Sequence, residues 1–131
     1  MTALDPSPVL ASRRGALDQL DDLRERVGQF LDHPTSEGLR LISVAAKEFL
    51  HYEAEEVLPE ALTAGFPESR VDALVQGHDT LAARLNRLAW AEVGTSELQT
   101  EAHRFRHELL AQVKLYDDLR LPRGALIPGG G

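Results

Sequence analysis

Between Gly65-Phe66-Pro67 and Gly94-Thr95-Ser96 the chain places apolar residues at Val71, Leu74, Val75, Leu81, Ala82, Leu85 and Leu88. That i, i+3, i+4 rhythm lays a stripe along one side of a helix, and no strand-like alternation competes with it. The same rhythm recurs on either side. His33-Pro34-Thr35-Ser36 makes a further turn, so the breakers leave four helical segments of roughly 20 to 28 residues each. Thr35 reads as an N-cap, Pro67 suits a first turn, and Ser96 with Gln99 reads as a capping box. Four long helices joined by three short turns predict an all-α fold, an up-down-up-down antiparallel four-helix bundle over residues 10–122. Asp5-Pro6-Ser7-Pro8 marks residues 1–9 as a flexible arm, and the Gly/Pro-rich stretch at 123–131 reads as a flexible tail.

A chain of 131 residues is one domain, large enough to bury a core without staples. It has no cysteine, which removes disulfides, thiolate metal sites and a cysteine nucleophile. Twenty-one acidic residues against 14 basic ones give a net charge of -7. Nucleic acids and anionic membranes attract basic patches, so neither is an expected partner. The opening residues lack a secretory pattern and no apolar run approaches the ~18 residues of a membrane span. A cytoplasmic location is the resulting expectation.

Polar groups then interrupt the apolar stripes. His78 stands in the middle of the third-helix stripe, where the pattern asks for Leu. In "FLHYEAEEVLP", residues 49–59, His51 and Glu55 lie one turn apart and share a face with Val44, Glu48, Leu58 and Leu62. Such a pair can reach one cation, and a buried carboxylate needs a partner of some kind. The same helix carries a rival stripe of Ile42, Ala46, Phe49, Leu50, Val57 and Ala61. If that stripe faces inward, His51 and Glu55 turn to solvent or to a partner, with Glu56 a solvated neighbour. In the fourth helix His103 and His107 are one turn apart, on the flank of a stripe of Leu98, Ala102, Phe105, Leu109, Val113 and Tyr116. His33, beside Pro34, is expected at the surface.

"HYEAEEVLP", followed by "GHDTLAARLNRL" and a histidine-bearing fourth helix, resembles the hemerythrin-like proteins with the HHE cation-binding domain. The resemblance runs over about residues 12 to 122 and rests most on His-x-x-x-Glu-Glu-x-x-Pro. It implies a bundle holding non-haem iron, mono- or dinuclear, that binds O2 or NO, handles iron or senses it. On that match His51 is a terminal ligand, Glu55 a bridging carboxylate, His78 the third-helix ligand, and His103 or His107 the fourth-helix ligand. This chain departs from the pattern in three places. The first helix offers only Asp18, Asp21 or Asp22 where the family has histidine, Ala82 follows one turn after His78, and Lys114 and Asp118 stand where a repeat would want His51 and Glu55.

Two other readings remain open. Glu48-x-x-His51 has the spacing of ferritin-like di-iron oxidases, although no other helix repeats it. A bundle without metal would instead be an interaction module, docking a second copy as a homodimer or another protein through Ile42, Phe49, Leu50 and Val57. No nucleophile, base and orienter come together in the sequence, so turnover is not expected.

Overall fold

The structure, a computed structural model, describes residues 10–92 and 94–118. The arm and tail expected at residues 1–9 and 123–131 lie outside the described residues. Every regular element among those described is helical: α1 (Arg13–Asp32), α2 (Ser36–Tyr52), a π turn (Glu53–Val57), α3 (Leu58–Ala64), α4 (Glu68–Trp90) and α5 (Ser96–Asp118). The π turn joins α2 to α3 without a break, so four helical rods surround one core. α1 lies against α2 and α5, and α4 lies against α5 and along α2. No helix among the described residues is long and apolar enough to cross a membrane.

The helix starts follow local chemistry. Thr35 Oγ1 accepts the Gly38 N–H at 2.9 Å and caps α2. Pro67 is the N-cap of α4, and its carbonyl accepts from the Arg70 and Val71 N–H groups. The cap of α5 is Thr95, one residue before the expected Ser96: its Oγ1 accepts the Leu98 N–H at 3.2 Å. α3 ends at Gly65, whose φ of 81° is the left-handed conformation that a Cβ penalises.

Apolar periodicity decides which faces turn inward. α1 buries Ala16, Leu20, Leu23, Val27 and Phe30, and α4 buries Val71, Leu74, Leu81, Leu85 and Leu88. The second rod buries Ile42, Ala46, Phe49, Val57 and Ala61, the rival stripe of the sequence. The face shared by Val44, Glu48, His51, Glu55 and Leu62 looks outward instead, with Val44 and Leu62 both exposed. The rival stripe wins because it carries the larger continuous apolar area to remove from water.

The inward residues Phe49, Glu53, Val57 and Ala61 follow one another in steps of four. In an α-helix of 3.6 residues per turn each such step overshoots by about 40°. The drift would carry Val57 and Ala61 out of the core. The π turn absorbs it with a wider loop, in which the Leu58 N–H donates to the Glu53 carbonyl five residues back. Glu53, Val57 and Ala61 thereby all stay buried.

A polar clasp closes one end of the molecule. The Ser12 N–H and hydroxyl donate to Glu60 Oε1 at 2.9 and 2.6 Å. Tyr52 OH donates to the Ser12 carbonyl at 3.2 Å, and Arg13 Nε donates to the Tyr116 carbonyl at 2.9 Å. Burial works to raise the Glu60 pKa. The hydrogen bonds from Ser12 and Ala11 outweigh it and hold the carboxyl below its usual range.

Candidate functional site

The π turn delivers one ionisable group into the centre of the bundle. Glu53 is 0% exposed, on the same inward stripe as Phe49 and Val57. Its carboxylate meets three donors from two other helices. His78 Nδ1 on α4 lies 2.7 Å from Oε1. Gln112 Nε2 and Tyr116 OH, one turn apart on α5, lie 2.7 and 2.6 Å from Oε2. A carboxylate can only accept, so the His78 proton sits on Nδ1. Both oxygens are thus partnered by donors, which is what allows a carboxylate to be buried at all.

Close backbone approach makes room for this cluster. A Cβ at Gly77 would collide with Gln112 Oε1 and come within 2.9 Å of Leu115 Cδ1. Glycine at 77 therefore lets α5 lie near enough to α4 for Gln112 to reach Glu53.

The charges respond to one another. The bond to Glu53 raises the His78 pKa above 6.5 against the opposing pull of burial, with the charges of Glu53 and Asp79 adding to the rise. Burial pushes the Tyr116 phenol far up, and the Glu53 charge beside it pushes further, so Tyr116 stays a neutral donor. The His78 side chain keeps 18% of its surface exposed and is the one member of the trio of donors with a path to water.

The residues that the sequence nominated for a metal are not brought together. His51, Glu55, His103 and His107 are all exposed on the outer faces of their helices, as are Glu48 and Glu56. Of the five nominated ligands only His78 points inward, and its Nδ1 is engaged by Glu53. Asp18, Asp21 and Asp22 of α1 are exposed too, the last two paired with Arg24 and Arg26. Lys114 is exposed, and the Asp118 side chain lies outside what is described. No group of three His, Asp or Glu side chains able to hold a metal ion forms among the described residues. The donor set at the centre, one carboxylate whose oxygens are taken by an amide, a phenol and an imidazole, does not fit the iron centre that the resemblance implies. His33 is exposed, as its place beside Pro34 suggested.

Glu53, Gln112 and Tyr116 are only faintly marked in the sequence as a polar set. The signal was present at two of them. Residue 53 fills the gap between Phe49 and Val57 in the inward stripe, and residue 112 fills the step between Leu109 and Tyr116. Gln112 is buried where Val113 was expected, and Val113 is only half-buried.

A second feature lies on the surface. A groove of about 460 Å³ lies between α2 and α4, lined by Ser43, Lys47, Leu50, Ala82, Leu85, Asn86, Ala89 and Trp90. Leu50, Ala82, Leu85 and Ala89 give it an aliphatic part, Ser43, Lys47 and Asn86 a polar one, and Trp90 lines it with 81% of its surface exposed. No family model matches the chain, and no curated protein or solved structure is recognisably similar to it.

Proposed function

We propose that this chain is a non-enzymatic four-helix interaction module that packs a polypeptide partner against its α2–α4 face. The observation that carries this reading is Trp90, 81% exposed beside a groove walled by Leu50, Ala82, Leu85 and Ala89. An indole left in water at the rim of an apolar concavity is the kind of anchor on which protein interfaces concentrate their energy. Among the described residues the interior offers no comparable opening. Glu53 is sealed and fully partnered, so the bundle would have to open before a small molecule or a cation reached it.

The reading takes the helices as an up-down-up-down antiparallel bundle, and the clasp supports that. The start of α1 bonds the end of the second rod through Ser12 and Glu60, and the end of α5 through Arg13 and Tyr116. The bond between Glu53 and His78 sets α2 against α4 in the opposite sense to a parallel pair, given the short turn at 65–67. The likeness to hemerythrin-like proteins would then extend to the bundle and not to its iron centre.

The test places a photo-crosslinking amino acid at the exposed, groove-lining Asn86, with Trp90 kept, or at the exposed Glu25 on α1 as a control, in cells that make the chain. Protein adducts from position 86 that are absent from position 25 support the reading. No adducts from position 86 overturn it. So does tight, stoichiometric uptake of Fe(II) that is lost on replacing His78→Ala, because that would restore the metal centre.

A further inference from the structure

The outer side of α4 carries a short pattern of its own. Asp72 and Asp79 flank Val75, all three are exposed, and no lysine or arginine pairs with either aspartate among the described residues. The seven residues from Asp72 to Asp79 rise about 10 Å along the helix. Three residues further on, Ala82 begins the α4 wall of the groove, and Leu85 continues it. Down the length of α4 this surface is therefore acid, apolar, acid and then an aliphatic hollow.

The chain holds the complement in residues 119–131, LRLPRGALIPGGG, the stretch that follows α5. Arg120 and Arg123 flank Leu121, and Ala125, Leu126 and Ile127 come next, with no acidic residue among them. Leu121 and Ile127 each precede a proline, which favours extended backbone over helix. Extended chain advances about 3.3 Å per residue, so Arg120 and Arg123 can stand about 10 Å apart, the rise between the two aspartates. Leu126 then falls about 10 Å further on, level with Leu85.

The starting point of this stretch agrees with that register. Gly77 lies against Gln112 and Arg84 against Glu101, so α4 and α5 run in opposite directions. Asp118, six residues past Gln112, comes level with Val71, six residues before Gly77. The stretch thus begins at the height of Asp72. It has only to cross the outer side of α4, a span of about 10 Å, before it can follow that helix down to the groove.

We propose that residues 119–131 pack in cis along α4, with Arg120 and Arg123 paired to Asp72 and Asp79 and Leu126 seated between Leu50 and Leu85 in the groove. This rests on the reading of the α2–α4 face as a docking surface, and it gives that face a competitor carried by the chain itself. A tether this short holds the segment at an effective concentration on the order of millimolar. Contacts too weak to hold a free peptide therefore keep the face occupied part of the time. An outside partner must displace the segment, so its apparent affinity falls by the fraction of chains whose face is open.

The test uses the purified chain with a photo-crosslinking amino acid at Asn86, Trp90 kept, and maps the cross-links of the monomeric species by mass spectrometry. Links from position 86 to residues 124–131 are expected, and none from position 25. Leu126→Asp should cut them about tenfold, because it sets a charge in the aliphatic hollow. Arg120→Glu together with Arg123→Glu should cut them roughly threefold, since exposed ion pairs are weak. Circular dichroism checks that the helices persist in each variant. In cells, Leu126→Asp should raise the yield of adducts between position 86 and other proteins, and an unchanged yield overturns the competition. No links to residues 124–131, links found only between two chains, or links indifferent to both variants overturn the docking in cis. Adducts from position 86 to another protein in that case exclude the segment while the docking face stands. Their absence as well sinks both.

Discussion

α4 takes part in two seams that were built differently. Against α5 it is closed: Gly77 removes a side chain so that Gln112 can pass, and His78, Gln112 and Tyr116 converge on Glu53. Against α2 it is open, with alanines on the wall and an indole in solvent. The closed seam places polar groups where their partners are fixed, whereas the open one leaves apolar surface that none of the described residues covers. A buried carboxylate with its donors in place specifies which helices meet and at what level, while contributing little net stability over an apolar core. An uncovered apolar surface does the reverse: it costs the monomer solvation and is recovered only on association. One helix thus carries the register of the fold on one side and an unmet demand on the other.

The sharpest way to break the contrast is at its buried centre. Glu53→Ala leaves the Tyr116 hydroxyl and the Gln112 amide buried without an acceptor and should cost about 3–5 kcal/mol in chemical denaturation, a large fraction of the stability of a domain this size. A loss under about 1 kcal/mol would mean that the cluster is not closed as described.

The next effect depends on pH. A raised folded-state pKa means that the charged His78–Glu53 pair contributes its full stability below the unfolded value of 6.5, and that this contribution is lost as pH rises through the raised value. The wild type should therefore lose stability above about pH 6.5 by an amount that His78→Gln abolishes, because glutamine keeps a donor and cannot titrate. Parallel stability curves for the two proteins between neutral and mildly alkaline pH would contradict the pairing.

The smallest effect sharpens the comparison from outside. His51→Ala alters an exposed side chain two residues from Glu53, and its thermal unfolding should match the wild type within about 0.5 kcal/mol. Two neighbours on one turn would then differ roughly tenfold in what their removal costs.

The fold was legible because apolar spacing is a property of each helix taken alone, and the stripes on α1, α4 and α5 need nothing from elsewhere in the chain. The second rod was harder. It is apolar on more than one side, and the stripe through Ile42, Ala46 and Phe49 competes with the face that holds His51 and Glu55. The polar cluster was least legible. Glu53, His78 and Gln112 are far apart in sequence and belong to no spacing motif. A carboxylate met by an amide and a phenol is also chemically quieter than histidines one turn apart. His51, Glu55, His103 and His107 drew notice because imidazole and carboxylate at helical spacing can chelate, and that spacing serves a solvated face equally well. The groove was hidden for a different reason. It depends on how far apart two helices lie, which no local pattern encodes.

The clasp at the start of α1 bears on how the chain becomes folded. Arg13 bonds the carbonyl of Tyr116, a partner 103 residues later, and α1 lies along α5. A ribosome delivers α5 last. Through most of synthesis Leu20, Leu23 and Val27 have only the second rod to rest on, and Glu53 waits in a half-built interior without its amide and phenol. α5 carries both the missing donors and the carbonyl that Arg13 bonds, so the two ends of the bundle can be joined only once that helix is in place.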